Sequence, residues 1–302
     1  MRHWSKTIVL IALLVLGSAR AAHADLNVVA TTPELAAVAA AVGAGRARVQ
    51  ALALPTQDPH WVDARPNLVL ELSHADLLIA VGAELELGWL PTLQVGARNA
   101  AVQSGGRGFL DCSTFVDLLD RPAAKVDRSQ GDIHPSGNPH YMLDPRVVER
   151  LAVEIGKRMA ELDPGARQTY LDNTKSFLTA LRSARAGWET TLAPLRGREV
   201  VTFHRSLAYL AGWLGLSVVG YLEPKPGIPP NPRHVAELVA RAKTGHVWAV
   251  LQESWYPSST STLVAQQIGA RFVQLPGGVN FAAGESYIAY VNRLVGALAT
   301  GL

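Results

Sequence analysis

The chain has 302 residues, 48% of them hydrophobic and 18% charged, with 28 basic and 25 acidic residues and a formal net charge of +3. That length is enough for two domains with real cores, and so small a net charge argues against a nucleic-acid surface. The single cysteine, Cys112, excludes an intrachain disulfide and a zinc site built from several thiolates.

Residues 1–24 read as a signal peptide. Arg2 and Lys6 precede an apolar run over 8–16, and Ala22-His23-Ala24 supplies the small residues that a cleavage site before Asp25 needs. The run is short for a permanent membrane anchor, and no cysteine stands at the cleavage point to carry a lipid. The leader holds three of the 28 basic residues and none of the 25 acidic ones, so the remainder carries 25 of each and is formally neutral. A soluble protein exported to the periplasm is expected.

After the leader, strands and helices alternate. The apolar segment 26–30 predicts a strand, and 33–41 a helix with Thr32 as its N-cap. A strand at 48–54, a helix at 67–74 and a fully apolar strand at 77–81 follow. A helix is expected over 85–95, then short strands at Val102 and 109–110, with Cys112 read as a small buried strand residue. The middle differs. Val148, Leu151, Ile155 and Met159 give a helix over 145–160, and Asp163-Pro164 interrupts it. A longer amphipathic helix then covers 166–192, about 40 Å at 1.5 Å per residue. Beyond Gly197 the alternation resumes: strands at 200–203, 218–221, 247–252 and 271–275, helices at 206–214, 232–243, 259–268 and 286–298. This pattern predicts an α/β protein of two lobes with mostly parallel sheets, at 25–165 and 195–302, joined by one linker helix at 166–194.

Three histidines share a setting. They occur as Asp58-Pro59-His60-Trp61, Asn138-Pro139-His140-Tyr141 and Thr202-Phe203-His204, each after a predicted strand or in a proline-marked loop. Neutral imidazole is the commonest protein ligand for a zinc-like ion. In open α/β sheets, ligands bind beyond the carboxyl ends of the strands. His60 and His140 fall in the first lobe and His204 in the second, so a cleft between lobes would collect all three. No Gly-rich phosphate loop and no His-Glu-x-x-His helix is present.

Several ordered motifs then agree with one family. Gln57-Asp58-Pro59-His60, Arg65-Pro66-Asn67, Ala75-Asp76-Leu77-Leu78, Asn138-Pro139-His140-Tyr141-Met142-Leu143-Asp144-Pro145, Thr202-Phe203-His204-Arg205-Ser206-Leu207, Glu223-Pro224-Lys225-Pro226-Gly227 and Gln252-Glu253-Ser254 resemble the metal-specific solute-binding proteins of ABC importers, the zinc and manganese group. The resemblance covers nearly the whole chain after the leader. It implies two lobes joined by a rigid helix, one metal ion in the cleft and delivery to an ABC permease, with no enzymatic activity.

The resemblance also places His60, His140 and His204 at the family's histidine ligand positions. Manganese-selective members carry a carboxylate at the third of these, so His204 points to Zn2+ as the transported ion. The family's usual fourth ligand, an Asp in the last cleft loop, is missing from Leu275-Pro276-Gly277-Gly278-Val279. Glu253, at the end of a strand, is the first substitute. Asp58 is the second, with the alternative of orienting the His60 ring through a hydrogen bond. Glu285 is the third, and a water is a fourth option. His134 lies close enough in sequence to touch the metal transiently, whereas His74, His234 and His246 read as solvated. The 223–230 segment reads as a rigid cleft-side loop. A monomer that binds zinc, docks on a permease and receives zinc from a periplasmic chaperone is the expected set of partnerships. A manganese or iron carrier of the same class is the nearer alternative; a zinc-dependent hydrolase and a zinc-containing adhesin are the remoter ones.

Overall fold

The computed structural model describes residues 25–123, 131 and 134–300, so the leader lies outside the described residues. Two four-stranded sheets, parallel throughout, form the frame. The first contains β1 (Leu26–Ala30), β2 (Ala47–Ala51), β3 (Leu77–Ala80) and β4 (Phe109–Asp111), in the order β2-β1-β3-β4. The second contains β5 (Glu199–Thr202), β6 (Ser217–Tyr221), β7 (Val247–Glu253) and β8 (Arg271–Leu275), in the order β6-β5-β7-β8. The two lobes thus repeat one topology, and each has its reversal of strand order beside its first strand, where open sheets form ligand crevices.

Helices cover the sheets: α1 (Pro33–Val42), α2 (Pro66–Ser73), α3 (Leu90–Ala97) and α4 (Pro145–Leu162) in the first half, then α5 (Arg167–Thr191), α6 (Ala208–Leu214), α7 (Pro232–Ala242), α8 (Ser259–Ile268) and α9 (Tyr287–Ala299). Several begin with a polar cap and a proline. Thr32 accepts from the Leu35 amide before Pro33, Asp144 from Arg146 before Pro145, and Asn231 from His234 before Pro232. Proline suits the first turn because its missing N–H would be unpaired there anyway.

α5 links the lobes and buries Tyr170, Thr174, Phe177, Leu181 and Trp188. Around it runs one continuous apolar cluster. It takes in Val28, Leu35, Leu77 and Leu151 of the first lobe and Val200, Leu251, Leu275 and Tyr290 of the second. The outer face of each sheet carries its own smaller cluster, around Leu72, Leu78 and Leu93 in one lobe and Val201, Leu238 and Val264 in the other. Hydrogen bonds also cross between lobes: Tyr287 Oη donates to the Met142 carbonyl at 2.8 Å, and the Val279 amide to Glu34 Oε1 at 3.1 Å.

Three local expectations change. The helix expected from residue 85 starts at Leu90, because Gly82, Ala83 and Glu84 take φ of 77°, 48° and 63° and form a left-handed turn first. At Gly82 a Cβ would sit 1.9 Å from Asp111 Oδ1, so only glycine fits. Val102 ends a short 3-10 helix capped by Asn99 instead of forming a strand. Cys112 is buried as expected, but it opens a 3-10 turn after β4. Among the described residues, no helix is long and apolar enough to cross a membrane.

The shared cluster makes a measurable demand. Leu181→Ala, at a fully buried position of α5, should cost about 2–5 kcal/mol. Urea unfolding followed by circular dichroism should show one transition at lower denaturant; two separate transitions would mean that the lobes have independent cores.

Candidate metal centre

The loops beyond the carboxyl ends of both sheets face each other. A cavity of ≈ 70 Å³ between them is lined from one lobe by Thr32, Leu54 and His140 and from the other by Ser206, Glu253 and Trp255. Beside it, His60, His140 and His204 each offer one ring nitrogen, and the three nitrogens lie within 4.8 Å of one another. Their ring centroids are 5.0–5.5 Å apart.

Each ring is held by its other nitrogen. His60 Nδ1 lies 2.6 Å from Asp58 Oδ1, and the His60 amide donates to the same oxygen at 3.0 Å. His140 repeats this with Asn138 Oδ1, at 2.8 Å to Nδ1 and 3.0 Å from the amide. The two Asx-Pro-His motifs are therefore one device: the side chain two residues back captures both the backbone and the ring of the histidine. Asn138 Nδ2 donates to Asp120 Oδ2 and to the Arg205 carbonyl, each at 3.0 Å. That turns Oδ1 toward His140, so His140 must carry its proton on Nδ1 and leave Nε2 as an acceptor. His204 reaches the same state through a distant partner, Glu223 Oε2, at 2.6 Å from Nδ1. Glu223 also accepts from the Gly227 amide at 3.1 Å, which ties the proline-rich loop to the ring. Three Nε2 lone pairs are left facing the centre.

The carboxylates divide by role. Asp58 accepts from Tyr256 Oη of the other lobe at 3.1 Å. Burial opposes its ionisation, but the hydrogen bond and charge of His60 outweigh this and hold its pKa below the usual carboxylate range. Glu253 ends β7 and is buried. Ser206 Oγ donates to its Oε1, while Oε2 is buried with no hydrogen-bond partner among the described residues. Burial raises its pKa. Glu253 stands outside the three-nitrogen group. So does Glu285, whose oxygens receive Arg293 at 2.6 and 2.8 Å and the Asn280 amide at 2.6 Å. In the last cleft loop, Gly277 and Gly278 press against the first lobe. A Cβ at 277 would come within 2.7 Å of the Pro55 carbonyl oxygen, and one at 278 within 2.8 Å of Glu34 Oε1.

Other histidines fall as follows. His134 Nε2 lies 3.2 Å from His60 Nε2, beside the three-nitrogen group but outside it. His74 and His246 are exposed, as expected. His234 is not simply solvated: it is half-buried, with Nε2 2.9 Å from the Tyr221 carbonyl. Sequence reasoning missed the ring-holding roles of Asn138 and Glu223. The repeated Asx-Pro-His spelling could have revealed the first; nothing in the local sequence points to the second.

Protonation differs ring by ring. Burial, then the neighbouring His60, His204 and His134, push His140 well below its ordinary pKa. The same causes, burial first, push His134 down to about 3. For His204 burial also opposes the charge, but the Glu223 hydrogen bond and the Glu223, Glu253 and Asp58 carboxylates outweigh it and raise its pKa. In a nitrogen-15 NMR titration of metal-free protein, His140 should stay a neutral Nδ1–H tautomer through the ordinary imidazole range near about 6.5. His204 should protonate above that range; the reverse order would contradict these environments.

Residues 28–301 match the ZnuA family, described as zinc-uptake complex component A, periplasmic. The chain is 24% identical over 289 residues to the high-affinity zinc uptake system protein ZnuA of Yersinia pestis, covering 90% of this chain and 89% of that one. It is equally similar, 24% over 296 residues, to the iron-binding protein YfeA of Yersinia pestis, covering 91% and 86%. A crystal structure of ZnuA shares the fold with a TM-score of 0.76 at 24% identity, covering 92% of this chain and 99% of that one. The chain therefore belongs to the ZnuA family, the extracellular or periplasmic metal-specific solute-binding proteins of zinc- and manganese-group ABC importers, which serve transport and are not enzymes.

Proposed function

We propose that the protein captures Zn2+ in the periplasm, with His60, His140 and His204 as ligands, and delivers it to an ABC permease. The observation that carries this reading is the set of three ring nitrogens within 4.8 Å of one another, with each ring held through Nδ1 by a neighbouring side chain. A ring fixed through Nδ1 presents a more basic, pre-oriented Nε2 to a metal. Three neutral imidazoles favour zinc over manganese, which prefers carboxylate and water oxygen. Asp58 and Glu223 contribute two negative charges behind the rings, enough to offset a divalent ion. Asp58 therefore acts by orienting His60, while Glu253 lies beside the centre with an unpaired oxygen and is a candidate to approach the bound ion.

Ligands from both lobes join on one ion, so loading favours the closed arrangement, and the shared core limits the movement to a small tilt or loop shift. A permease then meets a loaded surface that differs from the empty one. Export by the leader, action as a monomer and zinc supply by a periplasmic chaperone complete the proposal. An iron or manganese carrier of the same class is the second reading, and it is favoured by the equal similarity to an iron-binding relative.

Metal analysis of protein purified without chelator, followed by competition between zinc, iron and manganese, tests the choice. One zinc per chain, not displaced by excess manganese or iron, is expected. His60→Ala and His204→Ala should each lower zinc affinity by more than the roughly 10–100-fold typical of lost ring-holding partners. Near-native affinity in both variants would remove the site.

Acid should weaken binding in a defined way. Zinc takes the neutral ring, and His204 has the raised pKa. Affinity should be flat above that pKa and fall by about tenfold per pH unit just below it, as one proton is displaced per zinc. Calorimetric titration in buffers of different ionisation heat would count the proton; zinc affinity that rises on acidification would defeat the imidazole assignment.

A further inference from the structure

We propose that His134 is the fourth ligand of the transported ion, so that the carrier holds zinc in four imidazoles. This rests on the reading of His60, His140 and His204 as ligands and adds the donor that their geometry leaves open.

The case begins with His60 Nε2 and His134 Nε2, 3.2 Å apart. A contact of that length between ring nitrogens needs an N–H on one side or a cation between them. The His60 ring has committed its N–H to Asp58 through Nδ1. The His134 ring hydrogen-bonds the Ala83 carbonyl. A neutral imidazole has one N–H, so with that N–H on the carbonyl its other nitrogen carries a lone pair. Two lone pairs then face each other, which a shared cation turns from repulsive to favourable. For a tetrahedral zinc with Zn–N bonds near 2.0–2.1 Å, neighbouring nitrogens stand about 3.3–3.4 Å apart. The His60–His134 spacing fits two ligands of one such ion; His134 stands outside the group of three whose nitrogens lie within 4.8 Å of one another, so the bound ion draws it inward.

The position of His134 is built. Its ring lies 5.3 Å from that of His60 and 6.0 Å from that of His140. Just beyond it, Ser136 donates through its amide and hydroxyl to Glu84, at 3.1 and 2.6 Å. Ala83 and Glu84 are two non-glycine residues in left-handed backbone, at φ of 48° and 63°. Such strain persists where surrounding contacts hold it and clusters at ligand sites. Here the strained turn after β3 presents the carbonyl and carboxylate that fix the His134 loop. A nitrogen donor at this place also suits a last cleft loop without a carboxylate, where Gly277 leaves no room for a side chain. Four nitrogen donors would sharpen discrimination against manganese.

Zinc-edge X-ray absorption of the loaded wild-type protein should give four nitrogen donors with the outer-shell scattering of four imidazoles. In His134→Ala it should give three imidazoles and one oxygen. The cobalt(II) visible spectrum should shift between the two, and zinc affinity should fall at least about tenfold, the lower end for lost metal-site partners. His134→Asp should narrow the preference for zinc over manganese. A wild-type spectrum fitted by three imidazoles and an oxygen overturns the proposal, and so does a His134→Ala spectrum that superposes on wild type. If wild-type protein fails to bind stoichiometric zinc, or His140→Ala leaves the cobalt spectrum unchanged, the three-histidine reading falls and this proposal falls with it. The wild-type measurement stands even if a variant folds poorly.

Discussion

The apolar core that runs unbroken through α5 from one sheet to the other is the constraint on which the rest depends. Two α/β lobes with separate cores would pivot about their connection, as interdomain interfaces are usually small and polar. Here Leu181 and Tyr170 of the long helix are as buried as the strand residues that share their cluster. The lobes therefore meet at a nearly set separation. That separation brings His204, from the second lobe, within ligand distance of His60 and His140 from the first.

Close packing of imidazoles has an electrostatic cost, and the centre is arranged around it. Charged rings at ring-centroid spacings near 5 Å would repel one another, and burial penalises each charge further. His140 and His134 respond by staying neutral. His204 is the exception, because Glu223 and other carboxylates face it. The negative charge sits behind the rings, on Asp58 and Glu223, instead of among the donor nitrogens. Such a centre suits a divalent cation that accepts nitrogen, and it keeps the ring orientations fixed before the cation arrives. Orientation by a neighbouring carboxylate or carbonyl is a general property of histidine metal sites; here one carboxylate, Asp58, is in turn held by Tyr256 from across the cleft.

Much of the fold was legible because its signals are local. Apolar runs of strand length alternating with amphipathic segments gave both lobes, and the 25-residue α5 was evident from its period. The misreadings share a cause. Leu85, Leu87, Trp89 and Leu90 continue a helix-like apolar spacing, but the backbone before them is left-handed at Gly82, Ala83 and Glu84, and Glu84 there accepts from Ser136 of the His134 loop. Val102 is buried and β-branched, so it reads as strand, yet the Asn99 side chain caps a 3-10 turn there. Glu285 looked available as a cleft carboxylate, but Arg293, one helical stretch away, occupies it.

The candidate site divides along the same line. Asp58-Pro59-His60 and Asn138-Pro139-His140 could be recognised from sequence because the side chain two residues back closes a turn within three residues, whatever the surrounding fold. The partnership of His204 with Glu223, and the approach of His134 to His60, span 19 and 74 residues. The sequence by itself determined the α/β alternation, the linker helix and the two locally braced histidines. Which rings meet, which carboxylates stand behind them and which nitrogens face the centre were decided by the tertiary structure, because those distances depend on how two sheets are set against one shared core.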